Sequence, residues 1–251
     1  MKDILSPRHR PVLERLAGSP CLLAFDYDGV LAPLVRDPAG AGMRPQTRRL
    51  LARVAQAYPC AVVSGRAWRD THGFVGDLVP TVVGNHGIDL GAEVPVPAEV
   101  LDRVRGWRAD LEARLAGVPG VFFEEKRCTL AVHYGLSRRW REAGAAVHAA
   151  AEQLRGARLV LGKKLLNVLP SHFPTKGDAV RALLARDGLE TALYAGDDVT
   201  DEDVFEIGPP AVLGIHVGPG RSLAPWRLRS QTDTDALLRV LVSLRGGRER
   251  G

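Results

Sequence analysis

Five short apolar runs restrict this chain to a small set of folds: CLLAFD (21–26), CAVVSGR (60–66), PTVVGNHG (80–87), TALYAGDD (191–198) and AVLGIHVG (211–218). Each has strand length, and each is apolar without the alternation expected of a strand with one wet face. Segments of helical periodicity separate them. RPQTRRLLARVAQAY (44–58) puts Leu50, Leu51, Val54 and Ala55 on one face, and KGDAVRALLARDG (176–188) and TDALLRVLVSL (234–244) follow later. Strands buried on both faces and separated by helices predict an α/β fold, a doubly wound parallel sheet of Rossmann-like type.

The middle of the chain, about 98–169, has another rhythm. AEVLDRVRGWRADLEARLAG reads as a helix followed by two short strands, GVFFEEK and CTLAVHYG. SRRWREAGAAVHAAAEQLRG reads as a second helix, again followed by two strands, ARLVLGKK and LLNVLP. Helix-strand-strand twice over predicts a small α+β layer with an antiparallel sheet. Pro95 and Pro97 mark its start and PSHFPTKG its end. The expected organisation is a core of 1–97 and 170–251 with an α+β cap, or lid, at 98–169 inserted between its halves.

Composition narrows the class. With 251 residues, 45% hydrophobic and 25% charged, the chain has the balance of a globular protein large enough for a domain and an insert. No apolar run approaches the ~20 residues of a membrane span. The charged start, MKDILSPRHRPVLERLAG, lacks a signal-peptide core. Cys21, Cys60 and Cys128 have no metal spacing and read as reduced, buried residues, so a cytoplasmic protein is expected. The net charge of +5 favours anionic partners. Its basic residues form no stripe with interleaved aromatics, which argues against nucleic acid and leaves a small anionic substrate. The RGGRERG tail is expected to be a frayed end.

In open α/β sheets, ligands bind beyond the carboxyl ends of the strands, and the polar clusters of this chain fall there. Asp26 and Asp28 close the first run; Ser64, Gly65 and Arg66 the second; Asn85 and His86 the third; Asp197, Asp198 and Asp201 a later one. Carboxylates brought to one edge need a cation, and without clustered Cys or His the hard ion Mg²⁺ is the expected one. The chemistry follows. Asp26 attacks phosphorus to form an aspartyl-phosphate, and Asp28 protonates the leaving oxygen and then activates water. Ser64, with nearby backbone N–H groups, and Lys176 at a helix start hold the phosphate. Arg66, Asn85 and His86 stand at the same edge as candidates for substrate contact.

DYDGVLAPL, VVSGR, PTKGDAV and GDDVTDED together resemble the four motifs of haloacid dehalogenase superfamily phosphatases, and their order and wording most resemble the trehalose-6-phosphate phosphatase family. The resemblance runs from about residue 20 to 245. It implies Asp26 as nucleophile, Asp28 as acid/base, and Mg²⁺ bound by the Asp26 carboxylate, the Asp28 main-chain carbonyl and Asp197, with Asp198 and Asp201 in support. A synthase of the same pathway is the partner it suggests. Val30 stands where many members carry Thr.

The cap matches less closely. The sugar-gripping segment of the family corresponds to Glu124, Glu125 and Lys126, followed by His133 and Tyr134, but Gly135 replaces the usual Arg. GKKLLNVLP (162–170) puts Asn167 where the family has Glu, and an amide cannot act as a charged acceptor. Glu124, Lys126, His133 and Asn167 are the expected sugar contacts. Two other readings stay open here. One is a same-fold phosphatase for a glucosylglycerol, sucrose, mannosylglycerate or validoxylamine-type phosphate; the other is a non-catalytic sugar-phosphate-binding domain.

Overall fold

The computed structural model describes residues 1–35, 40–162 and 164–246. Most of the expected tail, from 247 onward, and Lys163 of the ARLVLGKK strand lie outside the described residues. The chain forms two compact units, 1–93 with 174–251, and 94–173. The flanking residues 94–97 belong to the smaller unit, where the Arg127 guanidinium donates to the carbonyl of Val94. At the other end Ser171 N–H donates to Gly156 O at 2.9 Å.

In the larger unit, chain order runs β1 (Lys2–Asp3), α1 (Arg10–Ala17), β2 (Leu22–Phe25), α2 (Pro45–Ala57), β3 (Cys60–Val63), α3 (Trp68–Val75), β4 (Thr81–Gly84) and β5 (Asp89–Leu90). The smaller unit contributes α4 (Ala98–Leu115), β6 (Phe122–Lys126), β7 (Thr129–His133), α5 (Trp140–Ala151), β8 (Ala157–Gly162) and β9 (Leu165–Pro170). The chain then returns through α6 (Lys176–Asp187), β10 (Ala192–Gly196), α7 (Glu202–Phe205), β11 (Val212–Val217), β12 (Trp226–Leu228) and α8 (Thr234–Gly246).

The core sheet has the order β1-β12-β11-β10-β2-β3-β4-β5 and is parallel except where β5 returns against β4. Leu23 and Phe25 of β2 pack with Leu13, Leu51 and Leu237 on one face. Leu22 and Ala24 pack with Val180, Leu183 and Phe205 on the other. A strand that must feed two helical layers has no room for polar alternation, which explains the unbroken apolar runs. The chain therefore has a doubly wound parallel core with an inserted α+β unit. Elements that the periodicity did not mark are short: β1 and β5 have two residues each, and α1 and α3 eight. No described helix is long and apolar enough to cross a membrane.

The smaller unit is an antiparallel sheet, β6-β7-β9-β8, with α4 and α5 on one face. Leu130, Val132, Leu166 and Val168 point to the helices and bury against Val104, Leu111 and Val147. Period-two alternation turns Phe122, Glu124, Lys126, Ala131, His133 and Asn167 to the opposite face.

Candidate active site

The backbone hydrogen bonding of β2 continues one residue past the strand, with Asp26 N–H donating to Ala195 O at 2.8 Å. That leaves Asp26 at the carboxyl edge, 5% exposed. Its two oxygens have separate donors: Tyr27 N–H on Oδ1 at 2.6 Å and Lys176 Nζ on Oδ2 at 2.9 Å. The carboxylate is thus fixed in rotation as well as position. Tyr27 turns away to donate its hydroxyl to Ala41 O at 2.6 Å, and burial together with Asp28 pushes its pKa up to about 12.

The chain then folds back sharply, and Gly29 takes φ +75°. A Cβ at Gly29 would lie 2.1 Å from Asp197 Oδ2, so the Asp197 carboxylate rests directly on this glycine. Glycine here satisfies two demands at once, a left-handed backbone and the close approach of the acid from β10.

Asp28 points to Arg66, which binds it as a fork, Nε to Oδ2 at 2.5 Å and Nη2 to Oδ1 at 2.8 Å. Arg66 also lies 5.3 Å from the Phe74 ring, which stacks on Tyr27. Its charge is held on more firmly than usual: burial opposes it, but the Asp28 hydrogen bond and charge outweigh that cost. Arg66, expected to contact substrate, is bound inside the chain to Asp28.

Ser64 follows β3 directly, 1% exposed, with its hydroxyl accepting from Arg66 N–H at 3.1 Å. Gly65 backs onto His86, whose Cε1 would be 2.5 Å from a Cβ there. Asn85 and His86 both adopt positive φ, 48° and 59°. Backbone bonds tie them to the second cluster, Asn85 N–H to Arg66 O at 2.7 Å and His86 N–H to Ser64 O at 3.0 Å. The Asn85 side chain donates to Asp89 and is 1% exposed, so it holds the turn. Gly87 packs on Thr175, whose carbonyl oxygen would be 2.3 Å from a Cβ at 87. The third cluster therefore abuts the start of α6, where Thr175 and Asp178 form a capping box.

Lys176 enters from that start, 2% exposed, and its ammonium bridges Asp26 and Asp201 Oδ1 at 2.9 and 2.8 Å. Burial opposes its charge, but Asp201 and Asp26 raise its pKa above the ordinary lysine value. Asp201 is fully buried and collects four donors: Lys176 and the Tyr194 hydroxyl at 2.7 Å on Oδ1, and Asp197 and Asp198 N–H at 2.8 and 2.9 Å on Oδ2. It is the post around which the Asp197–Asp198 turn is built. Asp198 itself accepts from Val199 N–H at 2.8 Å and caps the short helical turn that follows.

Asp26, Asp197 and Asp201 each offer an oxygen within 4.8 Å of the others. The Lys176 ammonium bridges two of these carboxylates, Asp26 and Asp201, both buried, with the half-buried Asp197 beside them. Asp26 shows the consequence: its pKa is raised well above the carboxylate range, by burial first and by Asp201 and Asp197 next, against the pull of Lys176. A hard divalent cation fits this donor set in both charge and ligand type. Since all four Asp201 lone-pair positions are occupied by donors, the oxygens of Asp26 and Asp197 are the ones suited to hold it.

In the smaller unit the four expected cap residues share the open sheet face. His133 Nε2 lies 2.8 Å from Glu124 Oε2, and Lys126 Nζ lies 3.6 Å from the same oxygen. Asn167 stands across Ala131 from Glu124 in the strand register. Two neighbours of the candidate residues escaped the sequence reading. Tyr194, the one aromatic in the β10 run, supports Asp201, and Phe122, two residues before Glu124, stacks on His133 with ring centroids 4.4 Å apart.

A doubly wound sheet with a pinned aspartate after β2, a second acid two residues on, a lysine at the α6 start and an acid cluster after β10 defines a phosphatase of the haloacid dehalogenase type. The comparisons make the class narrower. The trehalose-phosphatase family model matches residues 24–222, and the chain belongs to that family of phosphoric monoester hydrolases. Trehalose 6-phosphate phosphatase RA3 of Zea mays is 28% identical over 268 residues, covering 95% of this chain and 74% of that one. Probable trehalose-phosphate phosphatase 9 of Oryza sativa subsp. japonica is 30% identical over 264 residues, covering 90% and 71%. The C-terminal domain of C. albicans trehalose-6-phosphate phosphatase shares the fold, with TM-score 0.79, 22% identity, and 97% and 98% of the two chains covered.

Proposed function

We propose that the chain hydrolyses trehalose 6-phosphate to trehalose and phosphate through a phosphorylated Asp26. The observation that carries the mechanism is the pinning of the Asp26 carboxylate by Tyr27 N–H and Lys176, with Asp28 two residues away and oriented by Arg66. An Asp26 oxygen attacks phosphorus as the bond from phosphorus to the sugar oxygen breaks, and Asp28 supplies the proton that the leaving oxygen takes up. Water then attacks the acyl phosphate, Asp28 takes the water proton, and phosphate departs with the Asp26 carboxylate restored. Ser64 and Gly65 offer polar groups to the phosphoryl oxygens, and Lys176 has one ammonium donor left after its two carboxylate bonds. Mg²⁺, held by Asp26, Asp197 and the Asp28 carbonyl, would supply charge stabilisation at the phosphoryl oxygens.

The sugar is assigned to the open face of the smaller sheet, through Glu124, Lys126, His133 and Asn167. Glu124 and His133 are joined by a hydrogen bond that orients both, and a site built to hydrogen-bond particular hydroxyls discriminates against sugars that lack them. Three buried thiols without bridges fit a reducing, cytoplasmic setting. The test is phosphate release over a panel of about a dozen phosphosugars. Highest kcat/KM on trehalose 6-phosphate is expected. A clear preference for another phosphosugar would refute the substrate and keep the mechanism, and Asn167 and Gly135 are the two residues that would favour that outcome.

A further inference from the structure

At the opposite end of the core strands from the carboxylates, the chain enters β2 and β3 through Pro20 and Pro59. The last turns of α1, α2 and α8 meet there around a cleft of about 650 Å³, whose lining includes Ser19, Arg53, Gln56 and Arg245. A hollow of about 350 Å³ beside it shares Arg53 and Val242 and adds Arg239. Among the described residues that line these two hollows none is acidic.

Several exposed arginines elsewhere in the described residues pair with acids. Arg108, Arg114 and Arg139 each pair with a carboxylate within one helical turn. Among the described residues Arg53, Arg239 and Arg245 have no carboxylate partner. Arg245 is also preset: its guanidinium lies 4.4 Å from the Tyr58 ring and donates through Nη2 to Ser19 O at 3.2 Å. Tyr58 is anchored in turn by its hydroxyl on Leu241 O at 2.9 Å. The buried Nε of Arg245 has no hydrogen-bond partner.

One simple role for these cations is to offset the carbonyl ends of the three helices. Each helix end is worth roughly half a negative charge, about 1.5 in all, against the two full positive charges of Arg53 and Arg245 in the cleft and a third on Arg239 beside it. The excess stays positive after that role is filled.

We propose that this cleft is a second anion site, which binds a phosphorylated small molecule carrying two or more negative charges. Guanidinium forks match phosphate oxygens in pairs, and a concave space of this volume falls within the ~300–1,000 Å³ of small-molecule sites. The site is independent of the hydrolytic reading, since it lies at the other end of the sheet.

Titration calorimetry with inorganic pyrophosphate on the full chain in EDTA tests this. Without a divalent cation the catalytic carboxylates repel the probe, so binding reports on the arginines. One pyrophosphate per chain is expected, with affinity falling about fivefold or more between 50 and 300 mM NaCl. The exposed double variant Arg53→Glu/Arg239→Glu should bind about 30-fold more weakly or worse, while its Mg²⁺-supported hydrolysis stays within about twofold of wild type. Arg245→Lys keeps the charge, loses the fork, and should weaken binding about tenfold. No binding by wild type, equal binding by the double variant, unchanged affinity in Arg245→Lys, or tighter binding of a hexaglutamate peptide than of pyrophosphate would each overturn the proposal.

Discussion

Asp26→Asn separates chemistry from stability in a way the geometry sets numerically. The substitution keeps the shape and removes one charge from a group whose reactive oxygens lie within 4.8 Å of one another. At an effective dielectric of about 20, each like-charge pair at that distance costs about 3.5 kcal/mol, so Asp26 meets about 7 kcal/mol of repulsion from Asp197 and Asp201. Its attraction to Lys176 at 2.9 Å returns about 6 kcal/mol on the same scale. Burial adds a further cost to the charge, in line with the raised pKa of Asp26. In EDTA, Asp26→Asn should therefore be as stable as wild type or more stable, by up to about 3 kcal/mol. Hydrolysis should fall by several orders of magnitude, because an amide is not a nucleophile.

The sign extends to pH. A carboxyl whose folded pKa lies above its unfolded one favours the folded state while protonated. That contribution is present below the unfolded value of about 3.8 and is lost as pH rises through the raised folded value. Metal-free wild type should show this loss, and Asp26→Asn should not. Urea unfolding across that pH range, with and without Mg²⁺, measures both. Destabilisation of Asp26→Asn by more than about 2 kcal/mol in EDTA would refute the charge accounting, and near-normal turnover would refute the nucleophile.

Other outcomes follow from the same site. EDTA should abolish activity and Mg²⁺ should restore it better than Ca²⁺, because the small cation holds tight octahedral geometry where the larger one does not; full turnover by chelator-treated protein would count against the carboxylate cluster as a metal site. Gly29→Ala should lose activity by about 100-fold or more and destabilise by more than about 1 kcal/mol, since the added methyl meets Asp197 Oδ2 at 2.1 Å on a backbone of positive φ; steady-state kinetics and thermal unfolding check both effects. Lys126→Ala should cut kcat/KM about 10- to 1000-fold on the sugar phosphate while leaving p-nitrophenyl phosphate nearly untouched; equal damage to both substrates would remove the smaller sheet from sugar selection.

The fold and the polar edge of the sheet were legible in the chain because both depend on local pattern. Apolar runs such as LLAF and CAVV must be buried on both faces, and that alone implies helices above and below a parallel sheet. The strand ends then bring Asp26, Ser64, Asn85 and Asp197 to one edge whatever the details of packing. Which donors hold each acid there was not legible, because they arrive from distant parts of the chain. Asp198 and Asp201 read alike in GDDVTDED, yet one caps a turn and the other is buried under four donors, two of them from Lys176 and Tyr194. The acid/base role expected of Asp28 carried no sign of its partner Arg66, 38 residues away. The alignment of Glu124, His133 and Asn167 on one face required the register of three strands, and the cleft of Arg53 and Arg245 required three helix ends to meet. Sequence alone determined which residues had to be buried and where strands had to stop. Only the tertiary structure decided which charges face one another, because Coulomb energy depends on distance through space and not on separation along the chain.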